Sequence, residues 1–429
     1  MTRAATDILI IGGGPAGLAA ASAAVMGGTS SITILDNNPS LGGQIWRAGS
    51  GTVESQQAGR LFDAVNERPV EIIRNAQVFA AEGSNRLTAE TPAGRIDLEF
   101  EKLILATGAR ERFLPFPGWT LPNVFGAGGV QALVKGGLDV KAKRLVVAGT
   151  GPLLLAVAQY LGSKGAIVPA IIEQTTTIRI NRFAGNLLRS PAKLLQGVIL
   201  RAKTIGMPYL ADSWVTTVER TKRGVSESVA RGTNGEQESL IVTLNRKGTP
   251  KTIECDYLAC GFHLVPNIEL AELLGCEIAD GYVAVDELQK TSMPSIFCAG
   301  EPTGIGGVEK AVIEGRIAGL AASGQMDKAS ALISRANRTR RFANSLNTAF
   351  ALRDELKALA DDSTIVCRCE DVQYGKVKEF DSWRSAKLQT RCGMGPCQGR
   401  VCGPVVGFLF GWTPDSIRPP IFPVKLEDI

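Results

Sequence analysis

The chain has 429 residues, of which 45% are hydrophobic, and this length and composition suit two or three domains with cores of their own. Its 47 basic and 42 acidic residues leave a formal charge of only +5, and only 6% of residues are aromatic. A nucleic-acid partner is therefore not expected. No apolar run reaches the roughly 18–20 residues that span a bilayer, so no transmembrane segment is predicted.

The cysteine distribution argues against a secreted protein. All nine cysteines lie after residue 254, whereas a disulfide framework would be spread through the chain. The chain also enters an apolar strand at Asp7, so no signal peptide is expected. His263 is the only histidine, which argues against zinc sites built from histidine and against a Ser-His-Asp hydrolase. These features favour a cytoplasmic protein with a local metal site.

Two segments of the chain repeat one pattern: an apolar strand, a glycine turn, a helix, a second strand and an acidic residue. The first, DILIIGGGPAGLAAASAA, begins at Asp7 and leads to Asp36. The second, RLVVAGTGPLLLAVAQYL, begins at Arg144 and leads to Glu173. In both, 24 positions separate the first glycine of the turn from the acidic residue. The repeat predicts an α/β protein with two βαβ nucleotide-binding folds.

The first glycine turn fits the complete dinucleotide fingerprint. Gly12 allows the tight turn, Gly14 lets the backbone approach a pyrophosphate, and Gly17 lets the helix pack on the strand. The pyrophosphate is expected at the helix N-terminus, and Asp36 is expected to accept hydrogen bonds from the ribose hydroxyls.

Three further segments specify the dinucleotide: GGQ at 42–44, ATGAR from Ala106 and CAGEPTGIGG from Cys298. They resemble the flavin contacts of the two-dinucleotide-domain flavoproteins, which include thioredoxin and glutathione reductases. That family usually has aspartate where this chain has Glu301, and we expect the contact with the ribityl chain to be kept. The resemblance implies FAD, held by Gly12, Gly14, Pro15, Ala16, Gly17, Asp36, Asn37, Gly43, Gln44, Val78, Ala106, Thr107, Gly108, Gly300, Glu301 and Gly307.

The second glycine turn is incomplete. Gly149 and Gly151 fit the first two positions, but Leu154 replaces the third glycine and is expected to alter the close packing of helix on strand. Glu173 suits a ribose hydroxyl. Two interpretations remain open: a site for NAD or ATP formed by Gly149, Gly151 and Glu173, or a retained scaffold that binds no nucleotide.

Four of the cysteines are predicted to be core residues. Thioredoxin-type reductases pass electrons through a CxxC disulfide beside the flavin, and this chain contains no CxxC sequence. The isolated cysteines are instead expected to be small apolar core residues, namely Cys255, Cys260, Cys276 and Cys298.

The other five cysteines lie within 36 residues near the C-terminus. CRC occupies 367–369, and TRCGMGPCQGRVC occupies 390–402. Four converging thiolates hold a [2Fe–2S] cluster, and nearby backbone N–H groups raise its reduction potential. A zinc site is the other use of such a thiol set.

This module resembles the [2Fe–2S] domain of bacterioferritin-associated ferredoxin (BFD). The same domain is also found at the C-terminus of anaerobic glycerol-3-phosphate dehydrogenase. The match rests on CRCEDV followed by TRxGMGxCQGRxC. Because alanine is common among relatives at the position of Cys392, the resemblance implies Cys367, Cys369, Cys397 and Cys402 as ligands. The rival set replaces Cys402 with Cys392. We predict that Cys392→Ala keeps the cluster.

The predicted fold is thus a glutathione/thioredoxin reductase-like α/β flavoprotein with a BFD-like C-terminal domain. Its predicted parts are an FAD-binding domain formed by 1–118 and 285–330, a second nucleotide-binding domain at 119–284, a linker with docking helices at 331–362 and the [2Fe–2S] domain at 363–429.

Over nearly its whole length the chain resembles the α subunits of multi-subunit bacterial amine and imino-acid dehydrogenases, the opine oxidase, D-hydroxyproline dehydrogenase and hydrogen cyanide synthase type. VVAGTGPLLLAVAQYL, GFHLVPNIELAELLGCE and the cysteine module carry this resemblance. It implies an FAD-dependent electron-transfer subunit of a complex that oxidises CH–NH or CH–NH₂ donors, and no catalytic residue in this chain.

The same resemblance implies partners. Substrate is oxidised in a separate D-amino-acid-oxidase-type FAD subunit, some members add FMN at the subunit interface, and a small ferredoxin-like subunit is a further expected partner. We expect a cytoplasmic complex, peripheral to the inner membrane.

The alternative is a self-contained reductase. In this alternative NADH binds at the second glycine turn and reduces FAD, and the cluster passes single electrons to a ferredoxin-like partner.

Overall fold

The computed structural model describes residues 2–29, 31–46, 56–67, 70–189, 191–222, 238–414 and 416–428. They group into two compact units. The first comprises Met1–Arg110, Leu264–Asn344 and Asp415–Ile429, and the second comprises Glu111–His263 and Ser345–Pro414. Each unit is discontinuous in sequence, and the boundaries of the four predicted domains stay a prediction.

The helices and strands follow in chain order. Up to residue 111 they are β1 Thr2–Ile11, α1 Pro15–Met26, β2 Ile32–Leu35, α2 Gln56–Asn66, β3 Val70–Ile73, β4 Gln77–Glu82, β5 Arg86–Thr91, β6 Gly94–Leu105 and β7 Ala109–Glu111. Up to residue 261 they are β8 Val124–Gly126, α3 Ala127–Lys135, β9 Leu145–Gly149, α4 Leu153–Ser163, β10 Ile171–Glu173, α5 Thr177–Asn186, α6 Pro191–Lys203, β11 Tyr209–Leu210, β12 Ser213–Lys222, β13 Glu238–Arg246, β14 Thr249–Cys255 and β15 Tyr257–Gly261.

The remaining elements return to the first unit and then form the cysteine module. They are β16 Leu264–Pro266, α7 Glu269–Leu273, β17 Ile278–Ala279, β18 Tyr282–Val283, β19 Ile296–Cys298, α8 Val308–Ala322, α9 Met326–Ser330, α10 Ile333–Ala349, β20 Ile365–Cys367, β21 Val372–Gln373, α11 Tyr374–Val377, α12 Trp383–Thr390 and α13 Cys402–Phe410. None of the described helices combines the length and the apolar character that crossing a membrane requires.

The first unit is built on a sheet in the order β3-β2-β1-β6-β5-β4, with β19 paired to β6. β1, β2, β3, β6 and β19 pair in parallel, whereas β4 and β5 extend the sheet as antiparallel strands. Helices α1 and α8 pack against each other through backbone. A side chain at Gly315 or Gly319 would collide with the carbonyl oxygen of Ala16 or Ala20, respectively. This close contact positions the N-termini of both helices.

The second unit contains a parallel sheet in the order β11-β10-β9-β15-β8 and a separate antiparallel sheet, β12-β13-β14. The sequence predicts antiparallel strands over 214–260, and this is correct for β12 to β14, while β15 joins the parallel sheet. Leu154, at the position of the missing third glycine, is fully buried. Its Cδ2 lies 3.3 Å from the point where Gly261 would carry a Cβ. A glycine on the neighbouring strand therefore makes room for the leucine.

The cysteine module packs on this second unit. The indole Nε1 of Trp119 donates a hydrogen bond to the Ile365 carbonyl at 2.6 Å. Val401 and Phe408 pack against the same apolar cluster as the buried residues of β12 to β15. The module thus contacts the core of the second nucleotide fold, while it keeps a separate buried cluster of its own around Trp383.

The α1–α8 contact yields a stability prediction. Gly315→Ala should lower the free energy of unfolding by about 2 kcal/mol, since the added methyl group overpacks a backbone contact. Gly197→Ala is the matched control, because Gly197 is also helical and its Cβ would meet no described atom within 4 Å. The control should stabilise by about 0.5–1 kcal/mol through helix propensity. Thermal melts of both variants measure this, and equal melting temperatures would contradict it.

Candidate cofactor sites

The first glycine turn has the shape that its sequence predicts. Gly12 has a φ of +106°, and a side chain there would collide with the Ala106 carbonyl at the end of β6. A side chain at Gly17 would collide with the Gly12 carbonyl. Both glycines therefore allow α1 to start directly against the sheet, where its free N–H groups attract an anion.

The N-terminus of α1 faces an open cradle. Gly14 is its N-cap and Pro15 its first residue. Among the described residues, only Gly43 comes within 4 Å of the point where Gly14 would carry a Cβ. Gly43 itself has a φ of +59°, and its own Cβ position lies 3.1 Å from the Gly14 Cα. Two facing glycines thus keep free the space that a pyrophosphate needs, and larger side chains would fill it.

Asp36 stabilises this turn. It is buried at the end of β2, and its carboxylate accepts hydrogen bonds from the backbone N–H groups of Gly13 at 2.5 Å and Asn38 at 2.7 Å. The neighbouring Asn37 is exposed. The carboxylate therefore lies beside the cradle, and its contact with a ribose stays a prediction.

The other residues predicted near the flavin belong to the same unit. Ala106 is buried after β6, and Thr107 donates its hydroxyl to the Asn267 carbonyl at 2.6 Å. Gly108 follows with a φ of +70° and no described atom within 4 Å of its Cβ position. Val78 is buried in β4, Ala16 is buried in α1 and Gln44 is exposed after the cradle glycine.

Glu301 holds the loop that starts α8. Its carboxylate accepts hydrogen bonds from the backbone N–H groups of Gly306 at 3.1 Å and Gly307 at 2.9 Å. Gly307, the N-cap of α8, has a φ of +81°, and no described atom lies within 4 Å of its Cβ position. Burial raises the pKa of Glu301. The longer side chain thus reaches its own loop, and a contact with the ribityl chain stays a prediction.

Behind this loop lies a buried ion network that the sequence analysis missed. Lys310 is 2% exposed, and its Nζ donates to the Gly300 carbonyl at 2.8 Å, to Thr303 Oγ1 at 2.8 Å and to Glu314 Oε2 at 2.7 Å. Arg340 donates to the other oxygen of Glu314 at 3.0 Å. The sequence does contain a signal for this network: a lysine and a glutamate four positions apart, which lie on the same side of a helix whose neighbouring residues are mostly apolar. Together these groups fix Gly300 to Thr303.

The second glycine turn is closed within its own fold. Glu173 is fully buried, and its carboxylate accepts hydrogen bonds from the backbone N–H groups of Gly151 at 2.7 Å and Thr175 at 2.8 Å. Gly149 has a φ of +138°, and a side chain there would collide with Gly261. The acidic residue thus packs against the turn much as Asp36 does in the first fold.

Residues 350–353, which we call the strap, lie over this second turn. The Phe350 ring is 3.8 Å from the point where Gly151 would carry a Cβ. The Phe350 carbonyl accepts hydrogen bonds from Thr150 Oγ1 at 3.0 Å and from His263 Nε2 at 2.7 Å. Gln174 Nε2 donates to the Ala351 carbonyl at 3.2 Å. The strap therefore contacts the second turn at Gly151, the position that corresponds to Gly14 in the first fold.

Arg353 anchors the far end of the strap. Its guanidinium donates to Asp212 at 2.7 Å and to the Gln174 carbonyl at 3.1 Å, and it lies 4.1 Å from the centroid of the Trp214 ring. Hydrogen bonds to Glu355 and Asp212 raise the pKa of Arg353, so the charge is retained. The strap is thus held at both ends.

The five clustered cysteines come together in two sets. The sulfurs of Cys367, Cys392 and Cys402 are buried and all lie within 4.8 Å of one another. Thiol hydrogen bonds from Cys392 and Cys402 lower the pKa of Cys367. Cys369 is exposed and interacts with Cys397, which is half-buried. The group of three is the one potential metal-binding set of His, Cys, Asp and Glu in the described part of the chain.

Cys392 lies beside two of the predicted ligands, Cys367 and Cys402. It follows α12 directly, and the left-handed conformation of Arg391 turns the chain so that the Cys392 sulfur reaches the other two. The structure therefore adds Cys392 to Cys367 and Cys402 and holds Cys369 and Cys397 as a neighbouring pair. Which four of the five thiolates bind a metal stays a prediction.

Glycines make this convergence possible. Gly393 has a φ of +87° and lies against the Trp383 ring, and a side chain at Gly395 would collide with Cys369. The loop 391–401 can therefore wrap tightly enough to bring CRC beside the later cysteines. A converging set of soft thiolate donors suits iron–sulfur clusters and zinc.

The prediction that the other four cysteines are core residues is confirmed: Cys255, Cys260, Cys276 and Cys298 are all buried. Burial raises the pKa of Cys255 to about 12 and raises the pKa values of the other three thiols.

The chain is similar to known proteins over most of its length. Residues 6–315 match the family model described as pyridine nucleotide-disulphide oxidoreductase. The chain is 30% identical to the HcnB subunit of hydrogen cyanide synthase from Pseudomonas protegens, with 96% of this chain and 91% of that one covered. It is 29% identical to an opine oxidase subunit of Rhizobium meliloti, with 99% and 87% covered.

Solved structures show the same fold. L-proline dehydrogenase from P. horikoshii has a TM-score of 0.67 at 18% identity, with 99% of this chain and 79% of that chain covered. Thioredoxin reductase from T. acidophilum has a TM-score of 0.53 at 21% identity, with 75% and 98% covered. The chain belongs to the pyridine nucleotide-disulphide oxidoreductase family, in the α-subunit group that includes HcnB and its opine oxidase counterparts, and this membership implies an FAD-dependent oxidoreductase.

Proposed function

We propose that this chain is the electron-transfer subunit of a multi-subunit dehydrogenase that oxidises the C–N bond of an amino acid, imino acid or opine. Relatives that match nearly the whole chain are named as subunits of hydrogen cyanide synthase and opine oxidase. In this proposal a D-amino-acid-oxidase-type subunit with its own FAD oxidises the substrate in the cytoplasm. FMN at the subunit interface and a small ferredoxin-like subunit complete the complex.

The contrast between the two glycine turns carries this proposal. At the first turn the atom nearest to the Gly14 Cβ position belongs to another glycine, Gly43, whereas at the second turn the nearest atoms to the Gly151 Cβ position belong to the Phe350 side chain. A self-contained NADH-dependent reductase needs a nicotinamide site in the second fold, and there Phe350 lies against the turn that would receive the pyrophosphate. This arrangement favours a partner subunit over NADH as the source of electrons for the flavin.

The residues of the first unit fit FAD. Gly14 and Gly43 leave space for the pyrophosphate at the α1 N-terminus, and Asp36 lies beside it for the ribose. The loop fixed by Glu301 and Lys310 would orient the isoalloxazine through the α8 N-terminus, where negative charge is favoured. FAD supplies the ability to take up two electrons and release them one at a time.

The residues of the cysteine module fit a [2Fe–2S] cluster, which supplies a one-electron acceptor. We propose Cys367, Cys369, Cys397 and Cys402 as the ligands, on the resemblance of the CRC and CQGRxC spacing. Arg391 forms an ion pair with Glu370, at a distance of 2.7 Å, beside the proposed cluster site. The positive charge of Arg391 is therefore already partly neutralised by this carboxylate. The buried Cys392 adds a fifth thiol to the surroundings of the cluster.

A spectroscopic titration tests the proposed function. We expect anaerobic addition of NADH to the purified chain to leave the flavin and iron–sulfur absorbance unchanged, while dithionite bleaches both. The reason is that the Phe350 ring lies against the turn that would bind the NADH pyrophosphate. Supplying the oxidising partner together with its amine substrate should then bleach the same bands. Rapid bleaching by NADH alone would contradict the proposal and support the reductase.

Filling the cradle should remove the flavin. Gly14→Val places a branched side chain beside Gly43 and should reduce bound FAD by at least about tenfold, since the pyrophosphate loses its space. The control is Gly185→Ala, whose Cβ meets no described atom within 4 Å. Flavin content after gel filtration measures the effect. Full FAD content in Gly14→Val, with unchanged circular dichroism, would refute the cradle.

The ligand assignment predicts opposite results at two buried cysteines. Cys402→Ala should lose the cluster, because it removes a predicted ligand, and Cys392→Ala should keep it. Iron and sulfide content, together with the electron paramagnetic resonance of the reduced protein, distinguishes the two. The reverse pattern would exchange Cys402 for Cys392 in the ligand set. Zinc in place of iron in protein prepared anaerobically would overturn the iron–sulfur assignment.

A further inference from the structure

Lys310 places a positive charge inside the first unit. In the part of the chain that the structure describes, it is the one lysine or arginine that is buried. It lies in the first turn of α8, three residues after the N-cap Gly307. The helix dipole is positive at this end, so a cation is unfavourable there, and its burial adds the cost of removing a charge from water. The position of this charge therefore needs an explanation other than the stability of the helix.

The contacts of Lys310 select its charged form. Its Nζ donates to the Gly300 carbonyl at 2.8 Å, to Thr303 Oγ1 at 2.8 Å and to Glu314 Oε2 at 2.7 Å. An ammonium group has three N–H donors, and each of them has an acceptor here. A neutral amine would leave one of these acceptors without its donor.

One carboxylate serves two cations at this point. Glu314 is fully buried, and its Oε2 also accepts hydrogen bonds from the Gly300 N–H at 3.1 Å and from Thr303 Oγ1 at 2.7 Å. Its Oε1 accepts from Arg340 at 3.0 Å. Lys310, Glu314 and Arg340, which we call the ion triad, therefore hold two positive charges and one negative charge.

The ion triad adjoins the loop whose sequence resembles a flavin contact. A side chain at Gly306 would collide with the Lys310 side chain, and the Lys310 Nζ lies 3.9 Å from the point where Gly304 would carry a Cβ. Burial raises the pKa of Glu301 in this loop, and the charge of Lys310 acts in the opposite direction. The loop thus lies against Lys310, and the charge acts on the residue predicted to meet the ribityl chain.

We propose that the ion triad, through Lys310, raises the reduction potential of FAD bound in the first unit. A flavin that takes up two electrons and one proton gains one negative charge, and a cation held nearby in the protein interior stabilises that reduced form. Lys310 acts through the loop and through its charge, as a positioning residue. The inference requires bound FAD but not the proposed partner subunit, because its test supplies electrons chemically.

Reductive titration of the purified full-length chain against a reference dye tests the proposal. At the potential that leaves wild-type FAD half reduced, Lys310→Met should lower the ratio of reduced to oxidised FAD by at least about threefold, because it removes a positive charge. Glu314→Gln removes the negative charge and should raise the ratio by at least about threefold. The control is Arg316→Gln, which removes an exposed charge from the same helix and should leave the ratio unchanged, since solvent screens that charge.

A double variant separates the effect of charge from the effect of lost contacts. Lys310→Met/Glu314→Gln removes one charge of each sign, so the triad keeps its net charge and the ratio should return to within about twofold of the wild type. If the triad only supported the loop, both single variants would shift the ratio in the same direction. The double variant would then depart furthest from the wild type.

Shifts of the same sign in Lys310→Met and Glu314→Gln, or unchanged ratios in both, would overturn the proposal. Arg340→Gln keeps the test decisive where Lys310→Met does not retain FAD, because it removes a positive charge and leaves the contacts of Lys310 in place. That variant should lower the ratio, and an unchanged ratio would overturn the proposal equally. Wild-type protein that binds no FAD would overturn the FAD assignment as well, so the two failures are distinguishable.

Discussion

Backbone-to-backbone contact is the constraint on which the cofactor geometry depends. Gly12 and Gly17 let α1 start against the sheet, and Gly315 and Gly319 let α8 lie directly on α1. Because the two helices are held this closely, their N-termini have fixed positions at the ends of β1 and β19. Any larger side chain at these contacts would move a helix terminus, and with it the N–H groups that would meet the cofactor.

The two nucleotide folds show how one repeated pattern acquires different uses. Both have the same 24-residue spacing from glycine to carboxylate. The first keeps its cradle open between Gly14 and Gly43. The second replaces a glycine with Leu154, makes room for it with Gly261, and receives Phe350 over its turn. In the second fold the turn thus contacts the strap, and the strap precedes the cysteine module in the chain.

Buried charge has a structural use in both units. Lys310, Glu314 and Arg340 satisfy one another and three backbone or hydroxyl groups of the loop before α8. Arg353 of the strap is half-buried and pairs with Asp212. Pairing and hydrogen bonding offset the cost of removing these charges from water, so the charges specify loop positions.

The amino-acid sequence by itself determined the two βαβ folds, the FAD-type fingerprint, the buried isolated cysteines and the presence of a thiol cluster. These features depend on local periodicity and on glycines at fixed spacing, which adjacent residues encode. Tertiary structure alone decided that Phe350 covers a turn whose Thr150 is 200 positions away, that Cys392 joins Cys367 and Cys402, and that Lys310 lies buried under the flavin loop. Such contacts join residues far apart in the chain, and packing, which no local pattern records, brings them together.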